Sequence, residues 1–198
     1  NNITGDLTEI KDYTNLILLR CEHNKLTSLD GMDNMNNITY LCGVGNKLGT
    51  ITNESGIESE EDALTGTSIS ALANKTKLIR VNLNNNSNLA NVSYFLNDIS
   101  LKYLYLEKCS KNMVINGIAS IMNGCTETRL PVKFLTGDRY KVADYYNAST
   151  VTYEELRADL YGNTTIDKLN LEGCTNLTNE QLNTILSSMK QLKFLALK

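Results

Sequence analysis

Few residues in this chain have the means to do chemistry, and their spacing narrows what they can do. His23 is the single histidine among 198 residues, so any Ser-His-Asp, Cys-His or multi-histidine metal arrangement within the chain must pass through it. It stands in Cys21-Glu22-His23-Asn24-Lys25. Residues two apart share one face of a strand, but Cys21 takes an inward position there and His23 falls at the strand end. His23 is therefore expected to be a solvent-facing turn residue. The glycines of Cys42-Gly43-Val44-Gly45-Asn46-Lys47-Leu48-Gly49 lack the spacing of a phosphate loop, and no HExxH or GxGxxG occurs. Carboxylates from Glu54 to Asp62 offer oxygens of the kind calcium takes, without the DxDxDG spacing of a calcium loop. That run is expected to be a solvated loop, or a helix start capped by Ser59 and Asp62. Five cysteines without a CxxC pair fit neither a closed disulfide framework nor a zinc ribbon. The inventory predicts no catalytic residue, no metal, no cofactor and no enzyme.

What the sequence does repeat is a burial pattern. Asn15–Leu29 reads NLILLRCEHNKLTSL, and twenty-two positions later Asn37–Ile51 reads NITYLCGVGNKLGTI. Leu16 maps to Ile38, Leu19 to Leu41, Cys21 to Gly43, Asn24 to Asn46, Leu26 to Leu48 and Leu29 to Ile51. The shared form is LxxLxLxxNxLxxL. Its LxL centre alternates with a period of two, which predicts a short strand buried on one face. Self-similarity at a fixed short period predicts a solenoid in which these strands stack in parallel. The pattern returns at Leu78-Val81-Leu83-Asn86, Leu101-Leu104-Leu106-Cys109, Ile166-Leu169-Leu171-Cys174 and Leu192-Leu195-Leu197, making six strand-type units.

Units in the second half are longer. Thr178 with Gln181 and Thr152 with Glu155 have capping-box spacing. The first opens a helix whose Leu182, Ile185, Leu186 and Met189 share a face, and the second opens one that stops at Gly162. A shorter helix is expected around 116–125, closed by Gly124. The early units leave room only for extended or 3₁₀ returns. Two regions break the period. Ile38 and Leu78 are 40 residues apart, which places an insertion at about 52–70. Leu101 and Ile166 are 65 apart, which hides an irregular repeat at about 125–164, with Leu130 and Val132 as its expected inward pair.

This pattern resembles the leucine-rich repeat family, and in its 22-residue form the bacterial internalin-like surface proteins. The resemblance implies an α/β leucine-rich-repeat solenoid: a curved parallel β-sheet on the concave face and a mixed extended, 3₁₀ and α-helical convex face. It covers 1–198 as a single domain. Phe194–Lys198 ends on repeat core without a polar cap, so a piece of a longer chain is expected. In the family the residue after the strand hydrogen-bonds backbone of adjacent turns, which implies a structural ladder of Asn24, Asn46, Asn86, Cys109 and Cys174. The resemblance also implies a non-catalytic module that binds a protein partner on its concave face, secreted or at the cell surface. Alternatives are the substrate-targeting domain of a larger effector enzyme and a carbohydrate-binding surface protein.

In x-L-x-L-x the x residues face solvent. They give Arg20, Tyr40, Cys42, Arg80, Tyr103, Tyr105, Glu107, Lys168 and Phe194 as candidate ligand-binding positions, rich in the types that dominate interfaces. Cys42 is the thiol expected to be reactive. A formal net charge of -3 without a basic run argues against nucleic acid. No apolar run approaches the roughly 20 residues that span a bilayer, so no membrane insertion is expected.

Overall fold

Each repeat contributes a three-residue strand centred on the first apolar residue of its LxL motif, with that residue turned inward and its neighbours left half-buried or exposed in most strands. The structure is a computed structural model that describes residues 1–110, 112–113, 125–129, 134–135, 142–145, 151–164 and 166–197. The chain gathers into two compact units, Asn1–Arg129 and Leu130–Lys198.

The first unit holds β1 (Thr4–Gly5), β2 (Leu18–Arg20), β3 (Lys25–Leu26), β4 (Tyr40–Cys42), β5 (Thr50–Thr52), β6 (Glu58–Glu60), β7 (Arg80–Asn82), β8 (Tyr103–Tyr105) and β9 (Glu127–Arg129). Strands β2, β4, β7, β8 and β9 form one parallel sheet in that order. Leu19, Leu41, Val81, Leu104 and Thr128 stand side by side across it. Behind it lie Leu26, Leu29, Met32, Ile38, Leu48, Leu72, Leu78, Leu83 and Phe95, all fully buried. The chain returns through 3₁₀ turns at Thr8–Ile10, Ser70–Leu72 and Ser93–Asn97. These are short because a 22-residue repeat leaves no room for a longer helix.

The second unit holds β10 (Phe134–Leu135), β11 (Val142–Asp144), α1 (Tyr153–Leu160), β12 (Lys168–Asn170), α2 (Asn179–Ser187) and β13 (Phe194–Ala196). β11, β12 and β13 are parallel with Ala143, Leu169 and Leu195 in register, while β10 pairs antiparallel to β11. Both helices start on capping boxes, at Thr152 with Glu155 and Thr178 with Gln181. Ile185 and Met189 bury against Leu169 and Leu171, with Leu182 and Leu186 packed beside them.

Two expectations change. The strand following β8 is Glu127–Arg129, with Thr128 and not Leu130 opposite Leu104; residues 130–133, including Val132, lie outside the described residues. A threonine can fill the inward slot because its methyl packs and its hydroxyl tolerates partial exposure. The region between β8 and β12 also contributes a second parallel strand, β11, whose inward residue is Ala143. The helix expected around 116–125 falls mainly on residues outside the described ones.

The slot after each strand carries a ladder of side-chain hydrogen bonds. Asn46 Nδ2 donates to Cys21 O at 2.9 Å and Gly43 O at 3.0 Å, and its Oδ1 accepts from Leu26 N at 3.1 Å. Asn86 Nδ2 donates to Gly43 O and Leu83 O, and its Oδ1 accepts from Leu48 N. Asn24 does the same one turn earlier, with Cys21 O and Ile3 N. Each asparagine thus satisfies buried backbone of its own turn and of the preceding one. Cys109 Sγ donates to Leu83 O at 3.2 Å, and Cys174 Sγ to Tyr145 O at 3.1 Å. The thiol keeps the donor half of the asparagine's role.

The insertion is more ordered than a solvated loop. β5 and β6 form an antiparallel hairpin, and Glu61 just beyond it is 3% exposed. Its Oε1 accepts from Ala90 N at 3.0 Å and Asn91 N at 2.9 Å, and its Oε2 from Ser68 N at 3.3 Å. A buried carboxylate is tolerable only with such donors around it. Glu60 accepts from Ser110 Oγ at 2.7 Å and from the Asn112 amide. The hairpin is therefore tied to the following turns. Ser59 lies within β6 and caps no helix, while Asp62 Oδ1 closes a turn by accepting from Leu64 N and Thr65 N.

Candidate functional site

Period-two alternation leaves every second strand residue of the five-stranded sheet on its open face. The backbone register fixes three rows there. Leu18, Tyr40, Arg80 and Tyr103 make the first, and Arg20, Cys42, Asn82 and Tyr105 the second. Glu22, Val44, Asn84 and Glu107 continue the alternation as a third at the strand ends. β9 continues the sheet, with Glu127 and Arg129 in backbone register with Tyr103 and Tyr105. Their offset of 24 residues from Tyr103 and Tyr105 is the signal that places them, hidden because Thr128 interrupts the leucine pattern.

The first two rows hold the aromatic and cationic chemistry. The Arg80 guanidinium lies 4.3 Å from the Tyr103 ring centre and 6.0 Å from that of Tyr105, within cation–π reach of both. Tyr40 flanks Arg80 on the other side, in register on β4. Burial raises the Tyr40 pKa, and hydrogen bonding with Cys42 adds to the rise. All three tyrosines and Arg80 are half-buried, so they present ring faces and edges without depending on solvent alone.

The carboxylates gather at the strand ends. Arg20 Nε donates to Glu22 Oε1 at 2.8 Å. Burial works against the Glu22 carboxylate, but its own backbone amide and Arg20 outweigh that and hold its carboxyl below the usual range. Asn84 Nδ2 donates to Glu107 Oε2 at 3.3 Å, and Glu107 N donates back to Asn84 Oδ1 at 2.7 Å.

Cys42 requires a correction. It lies on the open face but is only 5% exposed, covered by its larger neighbours. Burial, and the hydrogen bond to Glu22, raise its pKa, the opposite of what a reactive thiolate needs. Cys21 and Cys109 are likewise buried, and burial pushes both thiols up to about 12. His23 is exposed in a turn.

In the second unit, Lys168 and Phe194 stand in register on β12 and β13. Lys168 is half-buried and Phe194 is 49% exposed. These two belong to a separate sheet from the Tyr40–Arg80–Tyr103 row. Among the described residues there is no group of three or more His, Cys, Asp or Glu side chains that could hold a metal ion.

Parallel three-residue strands, an Asn/Cys ladder and an open strand face define an internalin-like leucine-rich-repeat solenoid. Among solved structures, the chain is similar to the internalin InlF of Listeria monocytogenes, with a TM-score of 0.50 and 16% identity over 98% of this chain and 57% of that one. It is also similar to the functional domain of InlJ from Listeria monocytogenes, described as including a cysteine ladder, with a TM-score of 0.38 and 14% identity over 96% of this chain and 45% of that one. The chain thus spans less than two thirds of the length of either, and at such identity the likeness is one of fold. No protein-family model matches the chain, and no curated protein matches it.

Proposed function

We propose that this protein is a non-catalytic recognition module of a bacterial secreted or cell-surface protein, and that it binds a protein partner through the open strand face of its first unit. The observation that carries this reading is the cluster of Tyr40, Arg80, Tyr103 and Tyr105 on adjacent strands. None of these side chains is needed to fill the core, and tyrosine and arginine are the types that concentrate binding energy at protein interfaces. Among the described residues no helix is long and apolar enough to cross a membrane.

A carbohydrate surface would use the same tyrosines as flat platforms. Arg80 lies over the Tyr103 ring at 4.3 Å, so that platform is already occupied, which favours the protein reading. The test compares pull-downs from host and bacterial extracts by the wild type and by a Tyr40→Ala, Tyr103→Ala, Tyr105→Ala variant with an unchanged circular dichroism spectrum. Loss of a captured partner in the variant is the expected result. Full retention would move recognition away from this face.

A further inference from the structure

The cations on this molecule differ in how their charge is answered. Arg20 is paired with Glu22 at 2.8 Å, Lys47 with Glu58 at 2.5 Å and Lys193 with Asp167 at 3.2 Å. Arg80 has no carboxylate and no hydrogen-bond acceptor among the described side chains; its contacts are the Tyr103 and Tyr105 rings. Glu22 and Glu107, the acids of the third row, sit at the far ends of the strands. Glu107 follows the row of Asn84, four residues beyond Arg80, or about 13 Å along a strand. Asn84 and Arg20 already engage Glu107 and Glu22 respectively.

We propose that Arg80 is the anchor for an acidic segment of the protein partner, taking an aspartate or glutamate carboxylate between Tyr40 and Tyr103. This rests on the reading of the strand face as the recognition surface and adds the chemistry of what it recognises. A guanidinium offers a planar fork of N–H donors that matches the two oxygens of a carboxylate. Stacking on Tyr103 fixes the plane of that fork before the partner arrives, which lowers the entropic cost of binding. Tyr40 and Tyr105 flank the position where the partner's side-chain methylenes would lie, and they thin the water around the ion pair, where charge-assisted bonds are stronger.

The probe is a short synthetic peptide, acetyl-Gly-Glu-Gly-Glu-Gly-amide, with its Gln counterpart as control. Each is titrated into the full chain while the Arg80 side-chain Nε–H signal is followed by NMR. The Glu peptide is expected to give a saturable shift that weakens as salt rises. The Gln peptide should bind at least about tenfold more weakly, since it lacks the charge. Arg80→Gln should abolish the difference between the two peptides. Arg80→Lys, which keeps the charge and loses the fork, should weaken the Glu peptide about fivefold. Thermal midpoints of both variants near that of the wild type exclude unfolding as the cause. Equal binding of both peptides, no saturable shift with the Glu peptide, or an unchanged preference in Arg80→Gln would overturn the proposal. A captured partner that survives Arg80→Gln but is lost from the triple tyrosine variant would overturn the carboxylate anchor and leave the strand-face reading standing.

Discussion

The residue before each ladder side chain has a left-handed backbone. φ is 55° at His23, 67° at Gly45, 61° at Asn85, 56° at Lys108 and 75° at Gly173. These precede Asn24, Asn46, Asn86, Cys109 and Cys174 in turn. The turn must reverse the chain so that the next side chain points inward at the backbone of the previous repeat, and a left-handed residue does this in one step. For a residue with a Cβ this conformation costs about 1–2 kcal/mol, while glycine loses about 0.5–1 kcal/mol in extra unfolded-state entropy. His23→Gly and Lys108→Gly should therefore each stabilise the protein by about 0.5–1 kcal/mol in urea denaturation, and His23→Val should destabilise it. At the ladder itself, Asn46→Ala strips Leu26 N–H, Cys21 O and Gly43 O of a partner. Asn24 still donates to Cys21 O and Asn86 to Gly43 O, so only Leu26 N–H is left bare, and the cost should be about 1–3 kcal/mol. The ladder positions were legible in the sequence as a fixed distance from the LxL centre. The left-handed residue was not, because histidine, glycine, asparagine and lysine share no property that a pattern search would notice.

A second residue-scale feature was hidden for a different reason. Met35, Lys75 and Asp98 each stand three residues before the first apolar residue of a strand unit, Ile38, Leu78 and Leu101. All three are buried. Lys75 Nζ donates to Asp33 O at 2.6 Å and lies 3.5 Å from Asn36 Oδ1. Neither carboxylate oxygen of Asp98 has a hydrogen-bond partner among the described residues. Burial pushes the Asp98 carboxyl up to about 7, with Lys75 pulling the other way, and Lys75 in turn feels Asp33. The folded protein thus holds a proton on Asp98 that the unfolded chain has released from about pH 4 upward. The contribution of Asp98 to stability should be greatest below about pH 4, fall as pH rises from about 4 to about 7, and level off above that. Denaturant midpoints measured across this range should show the fall in the wild type, and Asp98→Asn should flatten it.

At the scale of elements, the buried Glu61 carboxylate is the main clasp of the hairpin insertion, with Glu60 adding bonds to Ser110 and Asn112. Glu61→Ala leaves Ser68, Ala90 and Asn91 N–H groups without their acceptor. The expected cost is about 3 kcal/mol, with faster amide exchange through β5 and β6 and little change in β2 and β4. Uniform exchange across the first unit would show that Glu61 is not a local clasp. The insertion was legible as excess length between Ile38 and Leu78. Its docking was not, because Glu61 sits in a run of acids that composition marks as solvated, and its partners are backbone amides up to thirty residues away. Both capping boxes were readable because Thr-x-x-Glu and Thr-x-x-Gln are local rules. Strands β9 and β11 escaped for the opposite reason. Their inward residues are Thr128 and Ala143, which only the neighbouring strand identifies as core.

For the whole molecule, regular repeat spacing fails in the stretch where the two compact units divide, at Arg129 and Leu130. In a solenoid each turn touches mainly its neighbours, so a short or polar turn weakens the stack locally. The fold class was legible because burial must recur at every turn. The partner was not, because the residues that face solvent are free to vary. The account stands on recognition by the strand face of the first unit. The most direct test places a photo-crosslinking amino acid at position 40, 103 or 58 in turn and exposes each variant to the same extract. Crosslinks to one partner from positions 40 and 103, and none from position 58 on the hairpin, are the predicted result. A partner crosslinked from position 58 and never from 40 or 103 would contradict the account.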